Sequence, residues 1–319
     1  MNRAPFKKME LSRRNFLGTA TTCAFMTASS RVLSTTEEKV PILLDTDIGT
    51  DIDDALTVMY LLGQKRCELV GVTTVYGDTM ERARLVSAIC KNAGRDVSIH
   101  PGSQKLISGR AVTGKVPQAE VLKDWPHLDD FVPDSAVEFM YETIKARPGE
   151  VTLLAVGPLT NVARLFKRHP DAPMLLKGLT LMNGSFRILY PEYNAVLDPD
   201  ATRIVYETET PGLMAVDFET SLQCRMGKKE ARARVQGGAF GPVADMMEVW
   251  FRTLPVVIFY DSIAASSIFE PGLVEWRSTR VRYRWRRTLP SISEGPHLVS
   301  VDVDQDRFKK HYFQTVKNV

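Results

Sequence analysis

Cysteine is scarce and badly placed for chemistry. Of four in the chain, Cys23 falls in the first 34 residues, and Cys67, Cys90 and Cys224 share no CxxC spacing. That excludes a multi-bridge disulfide framework and a cysteine zinc site. Cys67 and Cys90 read as core residues, with one bridge between them as the alternative in an oxidising compartment. An excess of one charge is also missing. Residues 1–34 hold six Lys/Arg and one Glu, which leaves 35 basic against 37 acidic residues in the remainder. A nucleic-acid footprint is therefore not expected. No Pro/Gly/Ser-rich linker divides the middle of the chain, so residues 35–319 are expected to form one domain, and that part holds no membrane-length apolar run.

The first 34 residues stand apart. Ser12-Arg13-Arg14-Asn15-Phe16-Leu17-Gly18 precedes a Thr/Ala-rich, modestly apolar run to Ala28. This is similar to a twin-arginine export signal, with a basic disordered tail as the bland alternative. Export to the periplasm or the exterior is expected, and the segment is set aside from the fold.

What the sequence does have is concentrated between Pro41 and Leu62. The apolar run Ile42–Leu44 enters a loop carrying Asp45, Asp47, Asp51, Asp53 and Asp54, and the chain leaves it on apolar residues at helical spacing. Strand, acidic loop and helix follow. Five carboxylates within ten residues repel one another unless water, a helix N-terminus or a cation offsets them. Pinned between two buried elements they converge, and a hard cation such as calcium, with about 6–8 oxygen ligands, is the simplest solution.

Further along, Glu68–Val75, a segment near Val97–His100, Val151–Val156, Leu179–Met182 and Leu213–Val216 read as strands alternating with helices. This predicts an α/β fold with an open, mostly parallel central sheet and flanking helices. Residues 101–133 carry Pro117, Pro126 and Pro133 among several glycines and no period, which suits a rim or lid, or a solvent-exposed excursion. The run Arg280–Arg287 alternates Arg with Val, Tyr and Trp and reads as a solvated strand. Polar groups follow four strand ends: the aspartate loop, Asp78, the Val156-Gly157 turn and Asn183. In an open sheet such ends share one edge, so a single oxygen-rich pocket is expected.

These residues resemble the inosine-uridine-preferring nucleoside hydrolase family. The likeness runs through Asp45-Thr46-Asp47-Ile48-Gly49 with Asp53-Asp54-Ala55, then Thr74–Asp78, Val156–Asn161, Asn183-Gly184, Glu192-Tyr193-Asn194, Asp198-Pro199 and Asp261. It spans about Val40 to Phe308, with two extra residues in the first loop. The resemblance implies a calcium-dependent enzyme that hydrolyses the N-glycosidic bond of a ribonucleoside to ribose and free base, and it implies a homo-oligomer. By position, Asp47, Asp54, Asp261 and the Val156 carbonyl would ligate Ca2+, and Asp47 would also activate the attacking water. Asp53, Asp78, Asn183, Glu192, Asn194 and Asp261 would hold the sugar. Which of Asp53 and Asp54 meets the metal stays open.

Three departures bear on the chemistry. Asp78 stands where the family commonly has Asn, the 101–133 loop has no His-Gly pair, and Tyr260 stands where many members place a histidine that protonates the departing base. Tyr260 is thus a candidate acid, with an ordinary pKa near 10, or a stacking or core residue. Two other readings compete. A haloacid-dehalogenase-type phosphatase would use Asp45 as nucleophile, although Gly49 does not fit that pattern and no downstream lysine motif is evident. A non-catalytic or altered-specificity ribose-binding relative would keep the pocket and lose turnover.

Overall fold

The central strands form where apolar and β-branched residues run without strict alternation, because helices cover both faces of the sheet. The computed structural model describes residues 38–319; the twin-arginine pattern at 12–18 lies outside them. The first half runs β1 (Val40–Thr46), α1 (Asp53–Gly63), β2 (Cys67–Thr74), α2 (Thr79–Asn92), β3 (Ile99–Pro101), α3 (Ala136–Ala146), β4 (Thr152–Ala155) and α4 (Thr160–Arg168). Next come α5 (Ala172–Leu175), β5 (Gly178–Met182), α6 (Tyr193–Leu197), α7 (Pro199–Glu207), β6 (Leu213–Val216), α8 (Phe218–Ser221), β7 (Arg225–Gly227) and α9 (Lys228–Arg234). The chain closes with α10 (Gly241–Trp250), β8 (Val256–Ile258), α11 (Tyr260–Phe269), β9 (Val274–Thr279), β10 (Val281–Arg284), β11 (Arg287–Pro290), β12 (His297–Val303) and α12 (Gln305–Thr315).

Eight strands make one sheet in the order β3-β2-β1-β4-β5-β6-β12-β9, with every pairing parallel except that of edge strand β9 with β12. This is the expected α/β architecture. Successive residues of β1 feed opposite faces: Ile42 and Leu44 join the core that contains α1, α10 and α11, whereas Leu43 joins the one under α3, α4 and α7. Strand order reverses at β1, which pairs with β2 on one side and β4 on the other. The crevice beyond the carboxyl ends of β1 and β4 is therefore the natural ligand site. Helix α1 is buried along its whole length, its two aspartates included.

Several local expectations change. The third strand starts at Ile99 rather than Val97, and edge strand β9, where Val274 and Trp276 alternate with Glu275 and Arg277, and the short helices α5, α6 and α8 add to the expected elements. The segment 101–133 contains a 3-10 turn, Pro117–Lys123. Its Gln118 is fully buried and donates from Nε2 to the carbonyls of Thr50 (3.3 Å) and Asp51 (2.9 Å). The segment braces the acidic loop from outside and supplies no residue to the cavity described below. The Arg280–Arg287 run is not one strand: it turns at Trp285-Arg286 and joins β10 to β11 as a hairpin. Cys67, Cys90 and Cys224 are free thiols, which removes the bridge alternative, and burial pushes each up to about 12.

Candidate active site

Two helix N-termini meet over the β1/β4 crevice. Asp53 and Asp54 occupy the first turn of α1, and Asp261 the first turn of α11. The small residues Ser262, Ala264, Ala265 and Ser266 let α11 lie close against α1, and a hydrogen bond of 2.9 Å between Thr57 Oγ1 and Ser262 Oγ fixes their register. Carboxylate oxygens of Asp53, Asp54 and Asp261 consequently lie within 4.8 Å of one another, all buried. Burial raises the pKa of each, and the neighbouring carboxylates raise it further. Helix dipoles offset part of this repulsion. An all-oxygen, buried donor set short of positive charge fits a hard divalent cation such as Ca2+.

These carboxylates face a cavity of about 500 Å³. Asp47, Asp51, the Val156 residue, Glu192 and Asn194 line it together with the triad, so most of the expected site comes together. Asp47 lies at the end of β1, and its pKa is raised by burial and moderated by the Arg82 guanidinium. Its approach to the Val156-Gly157 turn requires glycine, since a Cβ on Gly157 would stand 2.9 Å from Asp47 Oδ1. The Val156 carbonyl accepts from Asn194 Nδ2 at 2.7 Å. Glu192 caps α6: its carboxylate accepts from the backbone N–H of Gly184 (3.0 Å), Asn194 (2.8 Å) and Ala195 (2.9 Å). Burial nevertheless pushes Glu192 up to about 7.

Opposite the acids stands an aromatic wall. Tyr190 stacks on Phe218 (centroids 5.3 Å apart, planes at 19°), and Phe218 on Tyr260 (6.1 Å, 13°). Tyr193 and Trp250 extend the lining. Flat apolar faces against a carboxylate floor suit a ligand with an aromatic base at one end and a polyol at the other.

Two of the expected residues lie outside the cavity, and a third lines it in an altered environment. Asp78 is exposed and outside the cavity; its carboxylate caps α2 by accepting from Glu81 N at 3.0 Å. Asn183 is fully buried and does not line the cavity either, and its side-chain amide has no partner among the described residues. Tyr260 does line it, but burial and the nearby Asp53 and Asp51 raise its pKa well above the ordinary value, which makes it a poorer acid and leaves stacking as its observed contact. The phosphatase alternative also fails on geometry. Asp45 is fully buried away from the cavity, where Oδ1 accepts from Thr73 Oγ1 (2.7 Å) and Asn161 Nδ2 (2.8 Å), so it cannot attack a substrate there.

One residue escaped the sequence reading altogether. Arg82 of α2 is buried, and its guanidinium donates to the carbonyls of Asp47, Ile48 (2.6 Å) and Tyr76 (2.7 Å) and to Thr50 Oγ1 (3.2 Å). It holds the acidic loop by its backbone and lowers the charge felt by Asp47 and Asp54. The available signal was its place on the apolar stripe of α2 with Leu85, Val86 and Ile89.

Comparison with known proteins identifies the family. A model of the family "Inosine-uridine preferring nucleoside hydrolase" matches residues 42–310. Uridine nucleosidase 1 of Arabidopsis thaliana is 26% identical over 303 residues, covering 82% of this chain and 89% of that protein. The pyrimidine-specific ribonucleoside hydrolase RihB of Escherichia coli (strain SE11) is 26% identical over 227 residues, 68% of this chain and 72% of its own. Among solved structures, a purine-preferring ribonucleoside hydrolase from Gardnerella vaginalis superposes with a TM-score of 0.75 at 22% identity, over 86% of this chain and 98% of that one. At that identity it bears on the fold alone.

Proposed function

The chain belongs to the inosine-uridine preferring nucleoside hydrolase family and is an N-glycosyl hydrolase, and from that premise we propose that it cleaves ribonucleosides to ribose and free base in a calcium-dependent reaction. One observation carries the reading: Asp53 and Asp54 from α1 and Asp261 from α11, more than 200 residues apart in sequence, gather their carboxylate oxygens within 4.8 Å opposite an aromatic wall. Asp53, Asp54 and Asp261 would hold the ion, with Asp47 and the Val156 carbonyl beside them. When bound, calcium supplies the charge that neutralises this floor, fixes a sugar diol and acidifies a nearby water.

The remaining steps belong to the chain's own groups. Asp47, held in place by Arg82 and given room by Gly157, takes the proton of the attacking water. Glu192, oriented by three backbone N–H donors, and Asn194, anchored on Val156, accept and donate to the ribose hydroxyls. As the glycosidic bond breaks, positive charge grows on the sugar ring, and the surrounding carboxylates stabilise it. The base leaves along the Tyr190, Phe218 and Tyr260 wall, where it stacks. The base departs with the electron pair of the broken glycosidic bond and takes its proton from solvent, and the water proton held by Asp47 returns to solvent once ribose has formed.

Positioning of this kind supplies up to about 7–11 kcal/mol of barrier reduction. The test is ribose release from a panel of purine and pyrimidine nucleosides by the purified protein, before and after chelation. No release from any of them would remove the proposal. Export of the chain, read from the Arg13-Arg14 pattern, is a separate proposal that cell fractionation of the full-length protein decides.

A further inference from the structure

The hairpin β10–β11 carries a second cavity, of about 480 Å³, that the hydrolytic site does not use. Its inner face is committed to the fold. Val281, Tyr283 and Thr288 are buried, and Thr288 Oγ1 accepts from Ser185 N at 2.9 Å and donates to Ser185 O at 3.1 Å. The outer face holds Arg280, Arg282 and Arg284 at strand spacing, so the three guanidiniums lie on one side. With Trp285, Ser291 and Ser293 they line the cavity.

Three features of this hairpin work against its own stability. The first is charge: Arg284 pairs directly opposite Arg287 across the ladder, and like charges in that position repel. Among the described residues, no guanidinium of Arg280, Arg282, Arg284, Arg286 or Arg287 makes an ion pair or hydrogen bond. The second is the turn. Trp285 (φ 52°) and Arg286 (φ 60°) both occupy left-handed backbone, where a two-residue hairpin ordinarily places Asn or Gly. The third is the 83% exposure of Trp285 at the tip. Strain, unpaired positive charge and an exposed indole at one place are the features of a surface shaped for a ligand.

We propose that this cavity binds a nucleoside phosphate, with the phosphate on Arg280, Arg282 and Arg284 and the base on the face of Trp285. Guanidiniums hold phosphate oxygens by paired N–H donors, and a base stacks on tryptophan without sequence preference. A cavity of this size, with two serine hydroxyls at its edge, suits a small molecule better than a flat polyanion. The hydrolytic cavity, lined by Asp47, Asp51, Asp53, Asp54, Glu192 and Asp261 and by no guanidinium, offers a phosphate no comparable partner.

Calorimetry of the full chain with uridine 5′-monophosphate tests this, beside parallel titrations with inorganic phosphate and with vesicles containing anionic phospholipid. Saturable binding of the nucleotide is expected. It should weaken at least tenfold in R282E/R284E and severalfold in Trp285→Ala, and it should fall with added salt. Circular dichroism and thermal melting show that the variants fold. An unchanged dissociation constant in both variants, or no nucleotide binding, overturns the assignment. Inorganic phosphate binding as tightly as the nucleotide overturns the role of Trp285. Binding to vesicles alone makes the hairpin a membrane contact instead.

Discussion

Gly157 stands directly against Asp47: a methyl group on it would lie 2.9 Å from Asp47 Oδ1 and 2.8 Å from Val75 Cγ1. Gly157→Ala therefore displaces the carboxylate that handles the water while leaving the sheet intact. A misplacement approaching 1 Å is expected to lower kcat by about 100-fold. Steady-state kinetics beside an unchanged circular dichroism spectrum check this.

Arg82→Met leaves the carbonyls of Asp47, Ile48 and Tyr76 without their shared donor. Unsatisfied buried acceptors cost about 1–3 kcal/mol each, so a loss of at least about 3 kcal/mol in urea unfolding is expected. Arg82→Lys should recover only part, because an ammonium keeps the charge but not the planar fork.

Glu192 sets a pH dependence. Its pKa is raised from 4.5 to about 7, chiefly by burial. The protonated form is thus favoured by folding, so its contribution to stability is complete below about pH 4.5 and is lost as pH rises through 7. The ionised form accepts the sugar hydroxyl, so kcat/KM should rise through pH 7 and level off above it. A pH profile of Glu192→Gln should lack that inflection.

Tyr260 stacks rather than donates. Tyr260→Phe is expected to stay within about threefold of the parent in kcat/KM, since the ring is kept. Tyr260→Ala should raise KM by about tenfold, for a lost stacking energy of about 1–3 kcal/mol. Loss of kcat in the phenylalanine variant would restore the acid role.

Much of this site was legible before the fold was known, for a definite reason. The acids that meet at the cavity follow the ends of strands, and parallel topology sends those ends to one edge, as Asp47, Val156 and the α1 aspartates illustrate. The same logic misled at Asp78, because a strand-end aspartate that caps a helix looks identical to one that meets a sugar. Arg82 was hidden because its only signal is its place on the apolar stripe of α2, and a single arginine there is easily taken for one that reaches past the stripe to solvent. The aromatic wall draws Tyr190, Phe218, Trp250 and Tyr260 from unrelated segments, so no local pattern announces it. The hairpin was read as one strand because its turn at Trp285-Arg286 lacks glycine and asparagine, the residues that mark such turns.

The central claim is that the Asp53, Asp54 and Asp261 cluster binds one calcium ion on which nucleoside hydrolysis depends. Titrating calcium into the chelated protein, with calorimetry and ribose release followed on the same sample, addresses it most directly. One ion per chain, with activity restored in proportion to occupancy and both lost in Asp261→Asn, is the result this account requires. Full activity in the chelated protein, or calcium binding that Asp261→Asn leaves untouched, would contradict it.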